Sequence, residues 1–127
     1  MKIESYQDLE TWKLAMEIAE DCYRLTRGFP KEELFGMTLQ IRKASASIPA
    51  NIAEGYGRES TRDYIRFLQI AQGSLKETET HLILSRRVEL GQPQQINPIL
   101  EKCRSLGKLL HNQIRSLQRK LEAGSRE

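Results

Sequence analysis

Residues 40–58 read Gln40-Ile-Arg-Lys-Ala-Ser-Ala-Ser-Ile-Pro-Ala-Asn-Ile-Ala-Glu-Gly-Tyr-Gly-Arg58. Apolar and small residues recur in this stretch at spacings of three and four, which is the period of one face of an α-helix. These positions are Ile41, Ala44, Ser45, Ile48, Ile52 and Ala53. Because most of these side chains are small, the stretch predicts a helix that packs close to its neighbours and organises the rest of the chain.

Three residues within the stretch should shape this helix. Pro49 removes a backbone donor and crowds the carbonyl one turn earlier, so we expect a bend near Ser45. Gly55 and Gly57 should end the helix, because glycine accepts the left-handed conformation that many helix C-termini need.

The same period extends over most of the chain and predicts three further helices. The four predicted helices lie at about residues 8–27, 32–55, 60–90 and from 93 or 98 to 122. The start of the last helix stays open, because Pro93 and Pro98 each suit a first helical turn. We expect Asp8 to cap the first helix or lie in its first turn, and Ser60 to cap the third.

Each predicted helix carries one apolar seam that should face the core. In the first helix the seam consists of Leu9, Trp12, Met16, Ala19, Cys22, Tyr23 and Thr26. The positions Leu34, Phe35, Thr38 and Ile41 lead into the second helix. The third seam consists of Tyr64, Leu68, Ala71, Leu75, Thr78 and Leu82, widened by Phe67 and Ile70. The last consists of Ile96, Leu100, Cys103, Gly107, Leu110, Ile114, Leu117 and Leu121. Phe29, which precedes a proline, should be a loop residue that packs back on the bundle.

The chain lacks the period-two alternation typical of β-hairpins, and the predicted loops are short, so consecutive helices should run antiparallel. We therefore expect an all-α, antiparallel, up-down-up-down four-helix bundle that forms one domain over residues 1–127. The third and fourth helices, each near thirty residues, would extend roughly 45 Å and overhang the first two. Apolar surface on the overhang would favour self-association.

Composition is typical of a soluble protein, with 39% apolar and 29% charged residues. No apolar run approaches the ~20 residues of a membrane-spanning helix, and the N-terminus lacks the apolar region of a secretion signal. A cytoplasmic location is therefore expected. Cys22 and Cys103 fall on apolar faces without partners at metal-ligand spacing, which predicts buried, reduced thiols.

The sequence holds no pattern typical of an enzyme, so we expect neither catalytic activity nor a cofactor. A di-iron bundle needs Glu-x-x-His on two helices, but neither His81 nor His111 has a glutamate three residues before it. One alternative stays open at the start of the third helix. There Arg58 and Arg62, together with the first free backbone amides, would hold a phosphate or carboxylate.

Charge is distributed unevenly along the chain, whose net charge is +3. Residues 1–30 sum to −2, whereas residues 92–127 sum to +4. The outer face of the last helix and the end of the third carry the candidate nucleic-acid contacts Arg86, Arg87, Arg104, Lys108, Arg115 and Arg119. No aromatic residue is interleaved with them, so we expect recognition of phosphate backbone and shape instead of base stacking. The alternative is an ordinary solvated face whose cations favour the helix dipole.

Several motifs together resemble a known bacterial family. They include Tyr6-Gln-Asp-Leu9, Ser47-Ile-Pro-Ala-Asn-Ile-Ala-Glu-Gly55, Gly57-Arg58 and Gly73-Ser74-Leu75. Over roughly residues 5–121 the chain resembles the four-helix bundle proteins called S23 ribosomal protein or 23S rRNA intervening-sequence protein. It is also similar to the accessory variability determinant of diversity-generating retroelements.

The resemblance to the first group implies a ring-like homopentamer without enzyme activity. The resemblance to the second implies a bundle that binds nucleic acid and a protein partner. We therefore expect an oligomeric scaffold for which RNA or DNA, or a co-encoded protein, is a candidate partner. The alternative is a pure protein-interaction module that binds no nucleic acid.

The positions that match the family motif are expected to be structural. They are Arg42, Pro49, Asn51, Glu54, Gly55, Gly57 and Arg58. Asn51 and Glu54 should hydrogen-bond the bend or the loop after Gly57, and Arg42 should pair with a carboxylate.

Overall fold

A computed structural model describes residues 2–125, and most of these residues are helical. The four helices are α1 (Glu10–Arg27), α2 (Met37–Tyr56), α3 (Thr61–Arg87) and α4 (Pro93–Ser125). Two short 3-10 helices, Tyr6–Asp8 and Lys31–Glu33, precede α1 and α2. No strand occurs among the described residues, and the predicted all-α fold is confirmed.

The four helices pack in a ring. α1 contacts α2, α2 contacts α3, α3 contacts α4, and α4 returns to α1. Short connections make consecutive helices antiparallel, so the predicted up-down-up-down bundle is confirmed. With 27 and 33 residues, α3 and α4 exceed the 18 and 20 residues of α1 and α2, as predicted. Phe29, in the loop after α1, is buried against the core, also as predicted.

The start of α1 differs from the expected cap. Asp8 ends the preceding 3-10 helix, where its carboxylate accepts hydrogen bonds from the backbone N–H groups of Glu4 and Ser5 at 2.9 and 3.1 Å. These bonds lower the pKa of the Asp8 carboxyl group, because they favour its charged form. α1 itself begins after Leu9 without a side-chain cap. Asp8 therefore anchors the lead-in and does not cap α1.

Four apolar residues predicted for core faces are exposed instead. Tyr23 is 42% exposed and Ile70 is 43% exposed. Each lies one residue, or about 100° of helix rotation, from a fully buried residue, Cys22 and Ala71 respectively. Leu34 and Phe35 lie before the start of α2, so neither belongs to its buried face.

α2 is one helix that runs through Pro49 to Tyr56. The predicted left-handed C-terminus is wrong. Gly57 ends the helix at φ −80° and ψ −3°, and no glycine in the described part of the chain has a positive φ. The N–H group of Gly57 instead donates to the carbonyl groups of Ala53 and Glu54, so the last turn closes in the right-handed region.

Gly55 lies inside α2, where it allows a close approach between two helices. A Cβ atom there would lie 2.8 Å from Cβ of Phe67 and 3.2 Å from the carbonyl oxygen of Tyr64, both in α3. Two turns earlier, the hydroxyl groups of Ser47 and Ser74 form a hydrogen bond of 2.8 Å between the same helices. Ser47 and Gly55 therefore lie on the side of α2 that meets α3.

The ends of α3 are defined by a cap and a turn. Ser60 Oγ accepts a hydrogen bond from the N–H of Asp63 at 3.1 Å, which confirms the predicted cap. α3 ends at Arg87, three residues before its predicted end, and Glu89 adopts a φ of 64° in the turn that follows. Pro93 occupies the first position of α4, which settles the choice that the sequence left open.

Replacing Gly55 by alanine should destabilise the protein, whereas Gly73→Ala should not. Both glycines lie inside helices, so each change gains similar helix propensity, up to about 1 kcal/mol. At Gly55 the new methyl group forces α2 and α3 apart at a cost of about 1–3 kcal/mol. At Gly73 the same methyl group meets no atom within 4 Å.

The difference between the urea midpoints of these two variants, measured at equal protein concentration, isolates the effect of the clash. Gly55→Ala should unfold at lower urea than the unmodified protein, and Gly73→Ala at equal or higher urea. Equal midpoints for the two variants would contradict the close approach.

Candidate functional site

An open groove of about 870 Å³ separates α3 from α4, on the side of the bundle opposite the α1–α2 contact. Gly73 of α3 and Gly107 of α4 line it. A Cβ atom at Gly73 would meet nothing within 4 Å, and one at Gly107 would meet only Leu75 Cδ2 at 3.8 Å. The two glycines therefore keep the groove wide, above the buried side chains of Leu75 and Cys103.

Basic side chains lie along this groove. Lys76 belongs to α3, and Arg104, Lys108 and His111 belong to α4. Lys76 pairs with Glu79 at 3.1 Å, and its side chain is 75% exposed. Arg104 pairs with Glu101 of the same helix at 3.2 Å, and its side chain is 67% exposed. Exposed pairs of this kind contribute at most about 1 kcal/mol, so these cations remain available to another anion.

The basic stripe continues along α4, and we use this name for Arg104, Lys108, Arg115 and Arg119. All four side chains are exposed. Their spacings of four, seven and four residues return to the same side of the helix. The stripe therefore forms a line roughly 22 Å long at 1.5 Å per residue.

Two further predicted contacts lie near the start of α4. Arg86 Nη1 donates to Asn97 Oδ1 at 2.6 Å, which holds this arginine against α4. Asn97 lies seven residues before Arg104, on the same side of the helix. Arg87 is exposed nearby at the end of α3. The structure thus brings Arg86 in line with the basic stripe.

At the other end of the groove, α3 contributes a cation that the basic stripe does not include. Arg62 and Arg115 line a shallow depression of about 420 Å³ together with Gln118. Arg115 Nη1 donates to Gln118 Oε1 at 3.4 Å, a long and exposed hydrogen bond. Arg62 therefore widens the basic surface where α3 begins.

Arg58 takes a different position from Arg62. It forms an ion pair with Glu54 at 2.8 Å, and its guanidinium carbon lies 4.6 Å from the ring centroid of Phe67. This arginine is therefore directed back onto α2 and α3. The alternative phosphate site built from Arg58, Arg62 and the first amides of α3 is not assembled in this conformation.

Arg42 of the family motif joins α2 to α1. Its Nε donates to Thr26 Oγ1 at 2.8 Å, and its guanidinium carbon lies 4.7 Å from the ring centroid of Tyr23. The expected carboxylate partner is thus replaced by a hydroxyl group and an aromatic ring. A cation over an aromatic face is favourable because the ring carries negative potential there.

Asn51 and Glu54 make local hydrogen bonds. Asn51 Nδ2 donates to the carbonyl oxygen of Ser47 at 2.8 Å and to its hydroxyl at 3.0 Å. That hydroxyl also bonds Ser74, so the asparagine supports the link between α2 and α3. Glu54 accepts from Arg58, which lies just after Gly57. These contacts give the motif residues places in the packing of the bundle.

Lys102 of α4 points towards α1 and away from the basic stripe. Its Nζ lies 2.8 Å from Asp21 Oδ2 and 3.5 Å from Glu17 Oε1. The hydrogen bond to Asp21 raises the pKa of this lysine, because it favours the charged form. The charge of Lys102 is therefore matched by these acidic residues of α1.

The sequence alone does not single out Lys76 and His111. Helical periodicity identifies outer faces, but it does not tell which outer faces of α3 and α4 adjoin. Gly73 and Gly107 are the signal that points to the groove, since a glycine inside a helix costs stability and often has a packing or functional reason.

Cys22 and Cys103 are free and buried, as predicted. Burial raises the pKa of each thiol to about 12, because the interior disfavours the charged thiolate. The described residues contain no group of three or more His, Cys, Asp or Glu side chains that could hold a metal ion. No helix in this part of the chain has the length and apolar character needed to cross a membrane.

These features define a class of protein, an antiparallel four-helix bundle with an open, cation-lined groove on one side. The family model described as 23S rRNA-intervening sequence protein matches residues 7–112, and the chain belongs to this family. The comparison with curated proteins gives no match.

A solved structure supports the same assignment. It is a protein of unknown function from the S23 ribosomal protein family of Bacteroides thetaiotaomicron, and it is 30% identical to this chain. The similarity covers 82% of this chain and 97% of that one, with a TM-score of 0.74.

Both thiols should be unreactive in the folded protein. At about pH 8, near the pKa of an ordinary thiol, Ellman's reagent should modify neither cysteine in buffer and both in guanidinium chloride. Rapid modification of Cys103 in the native protein would contradict the burial of this side chain beneath the groove.

Proposed function

We propose that the chain is a non-enzymatic scaffold that self-associates and binds RNA or DNA through the basic stripe and the adjoining groove. The alignment of the cations supports this proposal most directly. Four basic side chains follow one line of α4, and Lys76 and Arg62 of α3 flank it. One strand carries a phosphate about every 3.4 Å along the axis, so a line of roughly 22 Å faces about six phosphates.

The composition of the groove favours recognition of backbone and shape. None of the residues that line it is Phe, Tyr or Trp, the side chains on which unpaired bases stack. Binding would then depend strongly on salt and weakly on sequence. The family's name refers to 23S rRNA, which makes structured RNA the first ligand to test.

Self-association, proposed as a homopentamer from the family resemblance, would repeat the basic stripe around a ring. Linked sites on one assembly bind a long ligand more tightly than a single site does. Exposed apolar side chains support self-association in this chain. Phe35 is 85% exposed and its chain neighbour Leu34 is 51% exposed, and contiguous apolar surface commonly marks an interface.

The second candidate is a pure protein-interaction module with a co-encoded protein as its partner. A groove between α1 and α2 favours it, because Ala19, Ala46 and Pro49 give that groove an apolar lining. The affinity of such a surface for a protein would change little with salt concentration, because burial of apolar side chains releases few counterions. Salt dependence therefore separates the two functions.

Arg115→Glu combined with Arg119→Glu should weaken nucleic-acid binding. Fluorescence anisotropy with a labelled structured RNA and a labelled duplex DNA, between about 50 and 200 mM salt, measures the affinity. The unmodified protein should lose affinity steeply as salt rises. The double variant should bind more weakly at every salt concentration. The slope of log affinity against log salt concentration, which is negative, should become less steep by about 2.

Lys2→Glu combined with Lys13→Glu is the matched control. It changes the net charge by the same amount, but its two exposed residues lie in and before α1, away from the α3–α4 groove. Circular dichroism and light scattering on each sample check helix content and oligomer size. Equal losses in both double variants would contradict binding through the basic stripe. Absence of binding by the unmodified protein at the lowest salt would favour the protein-interaction module.

A further inference from the structure

Phe35 is an apolar side chain that an ordered turn holds in solvent. Its exposure of 85% is the highest among the large apolar residues described. The N–H groups of Leu34 and Gly36 donate to the carbonyl oxygens of Lys31 and Glu33, each at 3.0 Å. A side chain on a hydrogen-bonded turn has less freedom to lose on binding, so Phe35 is a preorganised anchor.

The groove between α1 and α2 has the character of a receptor for such an anchor. It encloses about 400 Å³, and we call it the apolar groove. Met16, Ala19 and Tyr23 of α1 line it together with Ala46 and Pro49 of α2. The short side chains of the two alanines leave room between the helices for an aromatic ring, whose burial contributes strongly to an interface.

Phe35 cannot occupy the apolar groove of its own chain. Ala46 lies nine residues into α2 from Met37, a distance of about 14 Å along the helix axis. Phe35 lies beyond the start of that helix. A contact between the two surfaces therefore joins separate copies, with a different surface contributed by each.

The charges around the two surfaces are complementary. Lys31, Glu32 and Glu33 precede Phe35 in the chain. The rim of the apolar groove carries one glutamate and two arginines, Glu20, Arg24 and Arg27. The segment sums to −1 and the rim to +1, and Arg24 of the rim also pairs with Asp21 of its own helix at 3.0 Å. Charge pairs at a rim contribute mainly to the choice of partner and orientation, which favours a second copy of this chain as the occupant.

We propose that Phe35 of one copy inserts into the apolar groove of the next copy. The inference rests on the self-association in the proposed function and assigns its contact. Each copy contributes one Phe35 and one apolar groove, so the contact is heterologous and closes into a ring at a suitable rotation between copies. The basic stripe lies on the opposite side of the bundle and stays accessible in the assembly.

Two single variants test the two halves of this contact. Phe35→Ser removes the anchor, and Ala46→Gln fills the apolar groove with a longer polar side chain that still suits a helix. Both positions are exposed, so circular dichroism should show an unchanged fold. Each variant should weaken self-association at least about tenfold, measured by light scattering across a dilution series. Ile70→Ser, at an exposed apolar position on α3, should leave the assembly unchanged.

Mixing the two variants gives a sharper result. Ala46→Gln retains Phe35, and Phe35→Ser retains an open apolar groove, so an equal mixture can form one intact contact. It should therefore yield a dimer with one copy of each variant and no larger species. An interface of identical surfaces would limit the unmodified protein to a dimer, whereas this heterologous contact allows the unmodified protein to form a larger ring.

The outcomes separate this contact from the proposed function. An unmodified protein that assembles, together with a Phe35→Ser variant of the same size, would overturn the contact but leave self-association standing. A mixture that stays monomeric would also overturn it. An unmodified protein that is monomeric at every concentration would overturn both the contact and the self-association, and would assign Phe35 and the apolar groove to another protein.

Discussion

The approach of α2 to α3 at Gly55 is the contact on which the remaining packing depends. A Cβ atom at this position would collide with Phe67, so the two backbones are closer here than any other residue would permit. The hydrogen bond between Ser47 and Ser74 holds the same pair of helices two turns away. Because α1 contacts α2 and α4 contacts α3, a change in the separation of α2 and α3 would also move α1 and α4. The missing side chain at Gly55 and the short side chain of Ser47 thus fit the small separation between α2 and α3.

This arrangement gives the bundle two contrasting sides. Between α3 and α4 the surface is open and cationic, since Gly73 and Gly107 lack side chains and Arg104 and Lys108 lie beside them. Between α1 and α2 the surface is apolar. Lys102, which faces α1, is paired with acidic residues, whereas the four cations of the basic stripe are exposed on another side of that helix. A chain built in this way has one surface suited to phosphates and another suited to protein, which is the physical basis of the scaffold that we propose.

Features that depend on neighbouring residues in the chain were predictable from the sequence. The four helices, the Ser60 cap and the greater length of the second helix pair follow from local periodicity and from its breaks. The role of Gly55 was not predictable, because a glycine near a helix end usually indicates a cap, whereas here the constraint comes from Phe67 in another helix. Tyr23 and Ile70 were wrongly predicted to face the core. Each lies one residue, or about 100° of helix rotation, from a buried residue, and periodicity does not locate the edge of a buried face that accurately. The cations of α4 could be assigned to one stripe from their spacing, but the groove beside them depends on how α3 and α4 adjoin.

In the scaffold that we propose, the two sides of the bundle bind different partners. Hydroxyl-radical footprinting of one sample series, at low and high protein concentration and with or without a structured RNA, measures the solvent accessibility of individual side chains on both sides. We expect Met16, Tyr23 and Phe35 to become protected as the protein concentration rises, and His111 to become protected only when RNA is added. Protection of Met16 and Tyr23 by RNA, with no change at His111, would show instead that RNA binds the α1–α2 side.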